Sequence, residues 1–328
     1  MHVELVVPGL FHAQAAAPAL EMLLARGRRS AGRPAALEDW YAEAFGLHGT
    51  PLPAGALTAL ACGLAPGDAY WMRADPVHLR ADHDRVLLIP SQGFALASEE
   101  AEPLAAALNA HFAGEFALHA VRPDAWCLQA VRELPASARP PVAIAGRSVD
   151  AELPDKRWHA LLNEIQMAMY QHPLNTAREA RGEPVVNGVW LWGAGRLPAA
   201  AHGAWQSVSA EDPVALGLAG LAGLRHRASG AGAARWLERA PETGRHLVVL
   251  DGLRGAQALG DAQALEQRLR ALEAGWFAPL LEALRAGRIG MLTIRVPEAA
   301  ATFETTRGDL RRFWRRPRPL AAYEPLRA

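Results

Sequence analysis

Short runs of consecutive apolar residues alternate along the chain with longer stretches whose apolar positions recur every three or four residues. The first kind predicts strands over 2–7, 86–89, 189–192, 246–250 and 289–296, each bounded by glycine, proline or charged residues. The second kind predicts helices. The stretch 100–112 follows Ser98, has Glu102 near its first turn, and repeats Leu104, Leu108 and Phe112 at four-residue spacing. The stretch 158–170 puts Trp158, Leu162, Ile165 and Met169 on one face. A longer helix over 262–286 aligns Leu265, Leu269 and Leu272, with Trp276 and Leu280 following. Strands alternating with helices imply an α/β fold whose mostly parallel sheet is flanked by helices on both faces. Residues 70–139 read as a smaller inserted α/β subdomain closed by the proline- and alanine-rich join 135–141. The main domain is therefore expected over 1–69 and 140–328.

Composition narrows the setting. With 328 residues and 51% hydrophobic content the chain can bury a large core. Thirty-four basic and 34 acidic residues cancel, so no whole-chain field favours nucleic acid or an anionic membrane. Lys156 is the only lysine, an arginine bias that reads first as a GC-rich coding sequence. Two cysteines, Cys62 and Cys127, exclude a disulfide framework and an all-cysteine zinc site. The opening MHVELVVPGLF lacks the basic start of an export signal, and no stretch approaches the ~18 apolar residues of a membrane span. A soluble, cytoplasmic protein is expected.

Three segments carry candidate chemistry. Residues 71–85 pack Asp75, His78, Asp82, His83 and Asp84 together, and histidine with carboxylate suits zinc or manganese. Their spacing matches no zinc motif, and Arg73, Arg80 and Arg85 balance the acids, so surface or interdomain ion pairing is the plainer account. On the helix 158–170, His159, Asn163, Gln166 and Tyr170 form an uncharged hydrogen-bonding stripe, either a polar network between layers or the wall of a cleft. Next come His172, Asn175 and Arg178, then Asn187-Gly188 turning into the strand 189–192. Gly193 and Gly195 would let backbone approach closely at that strand's carboxyl end, with Arg196 at the mouth. Gly-x-Gly alone is a weak phosphate signal, and the dinucleotide fingerprint is absent.

His172-Pro-x-Asn175 followed by Asn187-Gly-x-Trp-Leu-Trp-Gly-x-Gly195 resembles a segment of archaeal-type, cofactor-independent phosphoglycerate mutases. Those enzymes belong to the alkaline-phosphatase-like metalloenzyme superfamily. Residues 75–89 with Ser98-Glu-Glu-Ala101 resemble their inserted domain, and the likeness puts Arg80 where they carry an arginine. Nearly end to end, the chain also resembles a family of bacterial regulatory proteins of the RpfE type. That likeness is carried by 71–85, Leu162-Asn-Glu-Ile-Gln166, the Trp-Leu-Trp-Gly segment and Asp309-Leu-Arg-Arg-Phe-Trp-Arg-Arg-Pro317. The resemblance implies an alkaline-phosphatase-like sheet with a smaller inserted α/β subdomain.

The departures from the mutases matter more. Where the resemblance implies a metal-binding aspartate after the first strand, this chain has Val6-Val7-Pro8-Gly9. The region 13–19 offers no serine nucleophile, Asp251 to Asp261 contains no histidine, and Arg295 stands near an expected aspartate. A two-metal phosphoryl-transfer site needs clustered carboxylates and imidazoles, and four losses together remove it. The favoured reading is a non-catalytic, phosphoglycerate-mutase-like regulatory or ligand-binding protein without a cofactor. Its expected ligand is a small phosphorylated or carboxylated metabolite, held by Arg80, Asn163, Gln166, His172, Asn175, Arg178, Asn187 and Arg196. One alternative is a metal-dependent phosphomutase or phosphatase with a site rebuilt from Asp75, His78, His83 and Asp84. The other is a scaffold that recruits a regulatory protein partner through the tail 307–318, where six arginines flank Phe313 and Trp314. No nucleic-acid module is visible.

Overall fold

A computed structural model describes residues 1–49, 51–83, 85–137, 139–152, 156–230 and 232–324. Its strands in chain order are β1 (His2–Val6), β2 (Arg28–Ala31), β3 (Tyr70–Asp82), β4 (Arg85–Pro90), β5 (Phe116–Arg122) and β6 (Ala125–Ala130). They continue with β7 (Gly188–Gly195), β8 (Ser207–Ser209), β9 (Arg225–Arg227), β10 (Arg245–Val249), β11 (Met291–Val296) and β12 (Ala301–Thr306). The chain divides into two compact units, one of residues 1–48 with 200–328 and one of 49–199.

The first unit is the expected mostly parallel α/β layer. Its sheet runs β2-β12-β11-β1-β10-β8-β9, with β11, β1, β10, β8 and β9 parallel and β12 and β2 antiparallel at one edge. β1 and β10 are buried almost end to end, which is why both are mainly apolar, with Glu4 and His246 the buried polar exceptions. Val3, Leu5, Leu20, Leu269, Leu280 and Ile294 share one core. The single helix expected over 262–286 is broken by a π turn at Glu273–Phe277, between the helices Ala262–Leu272 and Ala278–Arg285. Glu273 there accepts hydrogen bonds from the amides of Ala19 and Leu20, at 2.7 and 3.2 Å, and so caps the helix Pro18–Arg26.

The second unit contains residues 70–139 together with the helix Ala54–Ala61 and β7, which share its sheet or pack on it. That sheet is antiparallel throughout: β3 pairs with β4, β6 and β7, and β6 with β5. Two expectations change here. Residues 70–82 form the 13-residue central strand itself, so most of the charged segment 71–85 lies within the sheet rather than in a surface or interdomain ion-pairing stretch. The pattern concealed it because Arg73 and Asp75 neutralise one another inside the sheet, so two charges sit where apolar residues would be expected. β7 is not a parallel strand with a ligand mouth at its carboxyl end. A continuous buried run fits a central strand of either direction, and its pairing with β3 decides. The close backbone approach at Gly193 is to the helix: with φ at 57°, a Cβ there would lie 2.5 Å from that of Ala54.

The same helix lies flat on β3, and a Cβ on Gly55 would come within 2.2 to 2.4 Å of the Met72 backbone. A strand interior cannot yield by that much. Gly55→Ala is expected to destabilise the chain by about 1–3 kcal/mol or more, read as a lowered urea midpoint. An unchanged midpoint would show that helix and strand are not in this contact.

Candidate functional site

The candidate ligand and metal residues all fall in the second unit, and most are committed to the chain itself. Asn175 is buried. Its amide donates to the carbonyls of Met169 and Val186 at 2.9 and 2.8 Å, and its oxygen accepts from the Val186 amide at 2.9 Å. Asn187 clips β3 in the same way, accepting from the Leu79 amide at 2.7 Å and donating to its carbonyl at 2.9 Å. His172 caps the helix Pro173–Ala180 by accepting from the Leu174 amide. Arg196 is exposed and donates to the Asp68 carbonyl. Arg80, His159, Asn163 and Tyr170 are exposed and Gln166 half-buried, so the uncharged stripe forms a solvent face beside the buried Trp158, Leu162, Ile165 and Met169.

The candidate metal residues are dispersed. Asp75 is buried and saturated: one oxygen accepts from Arg73 Nε and Nη2 at 2.8 and 2.6 Å, the other from Trp192 Nε1 at 2.7 Å. Burial pushes its carboxyl up, against the pull of Arg73 and Trp192. His78 Nδ1 pairs with the Val185 carbonyl at 2.9 Å, and burial lowers its pKa. His83 is exposed in the tight turn between β3 and β4, with φ at 55° and Asp82 3.2 Å away. Asp84 lies outside the described residues. Among the described residues no three His, Cys, Asp or Glu side chains come together to hold a metal ion.

A charged constellation that no local motif announces occupies the first unit, at the carboxyl ends of its parallel strands, where open α/β sheets place ligands. Pro8 and Gly9 follow β1, Asp212 follows β8, Asp251 follows β10 and Glu298 follows β11. Arg254, in the first turn of the helix Arg254–Leu259, donates from Nη2 to Glu38 Oε1 at 2.8 Å. Burial works against the guanidinium, but Glu38, Asp251 and Asp212 together hold its pKa above the ordinary value. Tyr41 is fully buried and donates to Asp212 Oδ2 at 2.9 Å, while Asp212 Oδ1 accepts from the Val214 amide and caps the helix Pro213–Leu221. Burial first, then Asp212 and Asp251, raise the Tyr41 phenol well above its usual range. At the end of β1 the Gly9 amide donates to Glu298 Oε1 at 2.5 Å, and a Cβ on Gly9 would lie 2.6 Å from Gln257 Oε1.

Sequence reasoning named Asp251 but missed Glu38, Tyr41, Asp212 and Arg254. The available signals were Asp212-Pro213 as a helix start and Asp251-Gly252 directly after a strand. The two dications implied by the mutase resemblance do not fit these residues. Pro8 offers no ligand, the space beyond β1 holds Gln257 and Glu298, and a guanidinium stands among the three carboxylates. Glu38 Oε2 is buried without a hydrogen-bond partner among the described residues, but one orphan oxygen is not a ligand set. Arg295, which stands near the position of an expected ligand, turns instead to Glu4 inside the sheet.

No protein-family model matches the chain, and no curated protein matches it in sequence. Among solved structures it is similar to the PH0037 protein of Pyrococcus horikoshii, with a TM-score of 0.54, 14% identity, and 93% of this chain and 87% of that one covered. It also matches the cofactor-independent phosphoglycerate mutase of Thermoplasma acidophilum DSM 1728 at a TM-score of 0.42 and 16% identity, over 93% and 90% of the two chains. The first likeness shows a shared fold; the second is too low to carry an argument.

Two outcomes test the charge arrangement. Arg254→Met leaves the half-buried Glu38 without its partner and is expected to cost about 1–3 kcal/mol, most of it recovered when Glu38→Leu is added, both read by denaturant unfolding. Full stability in the single variant would mean that the pair contributes nothing to the fold. His2, His78, His119 and His246 all have pKa values lowered from 6.5, burial being the first cause for each. The unfolded chain thus binds more protons near that pH, so stability is expected to fall as pH drops through 6.5 toward the depressed folded values. His78→Gln should flatten that fall, and an unaltered slope would show that His78 is not protected from protonation.

Proposed function

We propose that this chain is a non-catalytic, phosphoglycerate-mutase-like protein with a regulatory or ligand-binding role, and that its ligand is a small phosphorylated or carboxylated metabolite. The observation that carries the non-catalytic half is Arg254. A half-buried guanidinium paired to Glu38 and facing Asp212 and Asp251 occupies the edge of the parallel sheet where a metal-dependent relative would need open carboxylates. Seating a dication there would repel Arg254 and break its ion pair, leaving a half-buried charge unanswered. The likeness of His172-Pro-x-Asn175 and the Trp-Leu-Trp-Gly strand to the mutases supports the ancestry, and the RpfE-type resemblance supports the regulatory role.

The test is turnover. With manganese or zinc supplied, the purified chain is expected neither to interconvert 2- and 3-phosphoglycerate nor to release phosphate from them. Turnover by the wild type that disappears in His78→Ala would overturn this reading in favour of a rebuilt site around Asp75, His78 and His83.

A second reading, recruitment of a protein partner by the tail, is favoured by one observation. Phe313 and Trp314 are 77% and 66% exposed, with Arg311, Arg315, Arg316 and Arg318 exposed around them. Arg312 and Arg315 fasten this loop by donating to the carbonyls of Arg26 and Gly27. Because Leu320 and Tyr323 belong to the core, the fitting variant is Phe313→Ser with Trp314→Ser rather than a truncation. Loss of a partner captured by the wild type, with unfolding unchanged, supports recruitment; equal capture by both refutes it.

A further inference from the structure

The second unit holds a cavity of about 420 Å³, within the range of small-molecule sites. Four charged side chains line it, Glu100, Arg178, Arg181 and Glu183, with Phe94 and Pro184 as apolar wall. We propose that this cavity binds a small metabolite bearing a carboxylate or phosphate, and that Glu183 occupies the anion's place in the absence of the ligand.

Two of the four charges are fixed. Arg178 is 1% exposed, and each side of its guanidinium is engaged. Nε donates to the Pro184 carbonyl at 2.8 Å, Nη2 to the Ala95 carbonyl at 2.9 Å and Nη1 to Glu100 Oε2 at 2.7 Å. The Phe94 ring lies 5.7 Å from its central carbon. Glu100 is held by Arg178, by the Ala97 amide at 3.2 Å and by Arg181 Nη2 at 2.9 Å. These two charges cancel and form a rigid wall.

The other two are a gate. Arg181 and Glu183 are 48% and 41% exposed and face each other fork to fork, Nε to Oε1 at 3.0 Å and Nη2 to Oε2 at 2.8 Å. Glu183 also lies 3.5 Å from Arg178 Nη1. This bidentate arrangement is the one arginine uses for carboxylate and phosphate ligands. Half-exposed pairs of this kind are weak, so opening one costs little. Glu183 is the least secured of the four. It lies past the helix Pro173–Ala180, after Gly182 with φ at 70°, and its carboxylate meets only arginines. With Glu183 turned to solvent, the Arg181 fork and Arg178 Nη1 present a surplus positive charge to the cavity, and Phe94 and Pro184 remain for the ligand's carbon body. A cationic ligand would instead have to displace Arg181, which two carboxylates hold.

This inference rests on the ligand-binding half of the proposed function, and the two fail separately. Phosphoglycerate turnover would overturn the non-catalytic reading without touching the cavity; a flat titration would remove the cavity without making the chain an enzyme. The experiment is calorimetric titration of the full chain, at constant ionic strength, with inorganic phosphate and with malonate, against methylguanidinium as the cationic counterpart. Saturable 1:1 binding of either anion is expected, and the stronger of the two identifies the ligand's charged group. Glu183→Gln removes the competing carboxylate and should tighten anion binding by up to about fivefold. Arg181→Gln removes the fork and should weaken it at least about tenfold. Both positions are solvent-exposed, and unchanged unfolding midpoints confirm that the fold is intact. No anion binding by the wild type and Glu183→Gln overturns the proposal. So does affinity indifferent to both substitutions, or methylguanidinium binding that Arg181→Gln strengthens.

Discussion

A carboxylate buried in a sheet has to be answered by charge or hydrogen bonds, and Glu4 sets this constraint for the whole first unit. It sits on β1, between β10 and β11, and is 1% exposed. Arg245 from β10 grips Oε2 with Nε and Nη2 at 3.0 and 2.6 Å, Arg295 from β11 donates to Oε1, and Trp205 Nε1 adds a bond at 3.1 Å. Burial pushes the Glu4 carboxyl up, but the two arginines outweigh it and hold the group below its ordinary range. Arg245 is registered opposite His2 and Arg295 opposite Val6, each two residues from Glu4 and hence on its face of the sheet. A slip of one residue in either neighbour would carry its arginine to the opposite face and leave the carboxylate bare. The ion triad therefore fixes the register of the three central strands, and with it which residues emerge at their carboxyl ends.

The same solution recurs. Asp75 is answered by Arg73 and Trp192 inside the antiparallel sheet, Glu38 by Arg254 beside the strand ends, and Glu100 by Arg178 at the cavity wall. In each case an arginine answers the acid. The arginine bias thus has a structural reading as well as a compositional one. A fork of fixed donors satisfies two lone pairs of a carboxylate at once, which a lysine at the same place cannot do.

Much of the fold was legible because its strands and helices are strongly periodic: β1, β10 and β11 lie within two residues of expectation, and the helix Lys156–Tyr170 buries the face its spacing indicated. What stayed hidden depends on pairing between distant segments. β3 was obscured by a charge pair that makes sense only when Arg73 and Asp75 are seen to meet, and the direction of β7 depended on a partner more than a hundred residues away. Asn175 and Asn187 look like ligand-binding amides until the backbone they serve is in place. The constellation at the strand ends is drawn from positions 8 to 298, and no local window contains it.

Arg254 also changes what the carboxyl edge can respond to. A carboxylate–imidazole metal site assembles only when its ligands are deprotonated and the ion is present, so its charge, and often its folding, follow pH and metal supply. A guanidinium raised further by Glu38, Asp251 and Asp212 remains charged wherever the chain is folded. The edge therefore carries a standing ion pair whose charge does not follow pH or metal supply. Charges that can be exchanged at low cost lie elsewhere. Arg181 and Glu183 are such a pair: they face each other half in solvent, tied to a rigid wall on one side only.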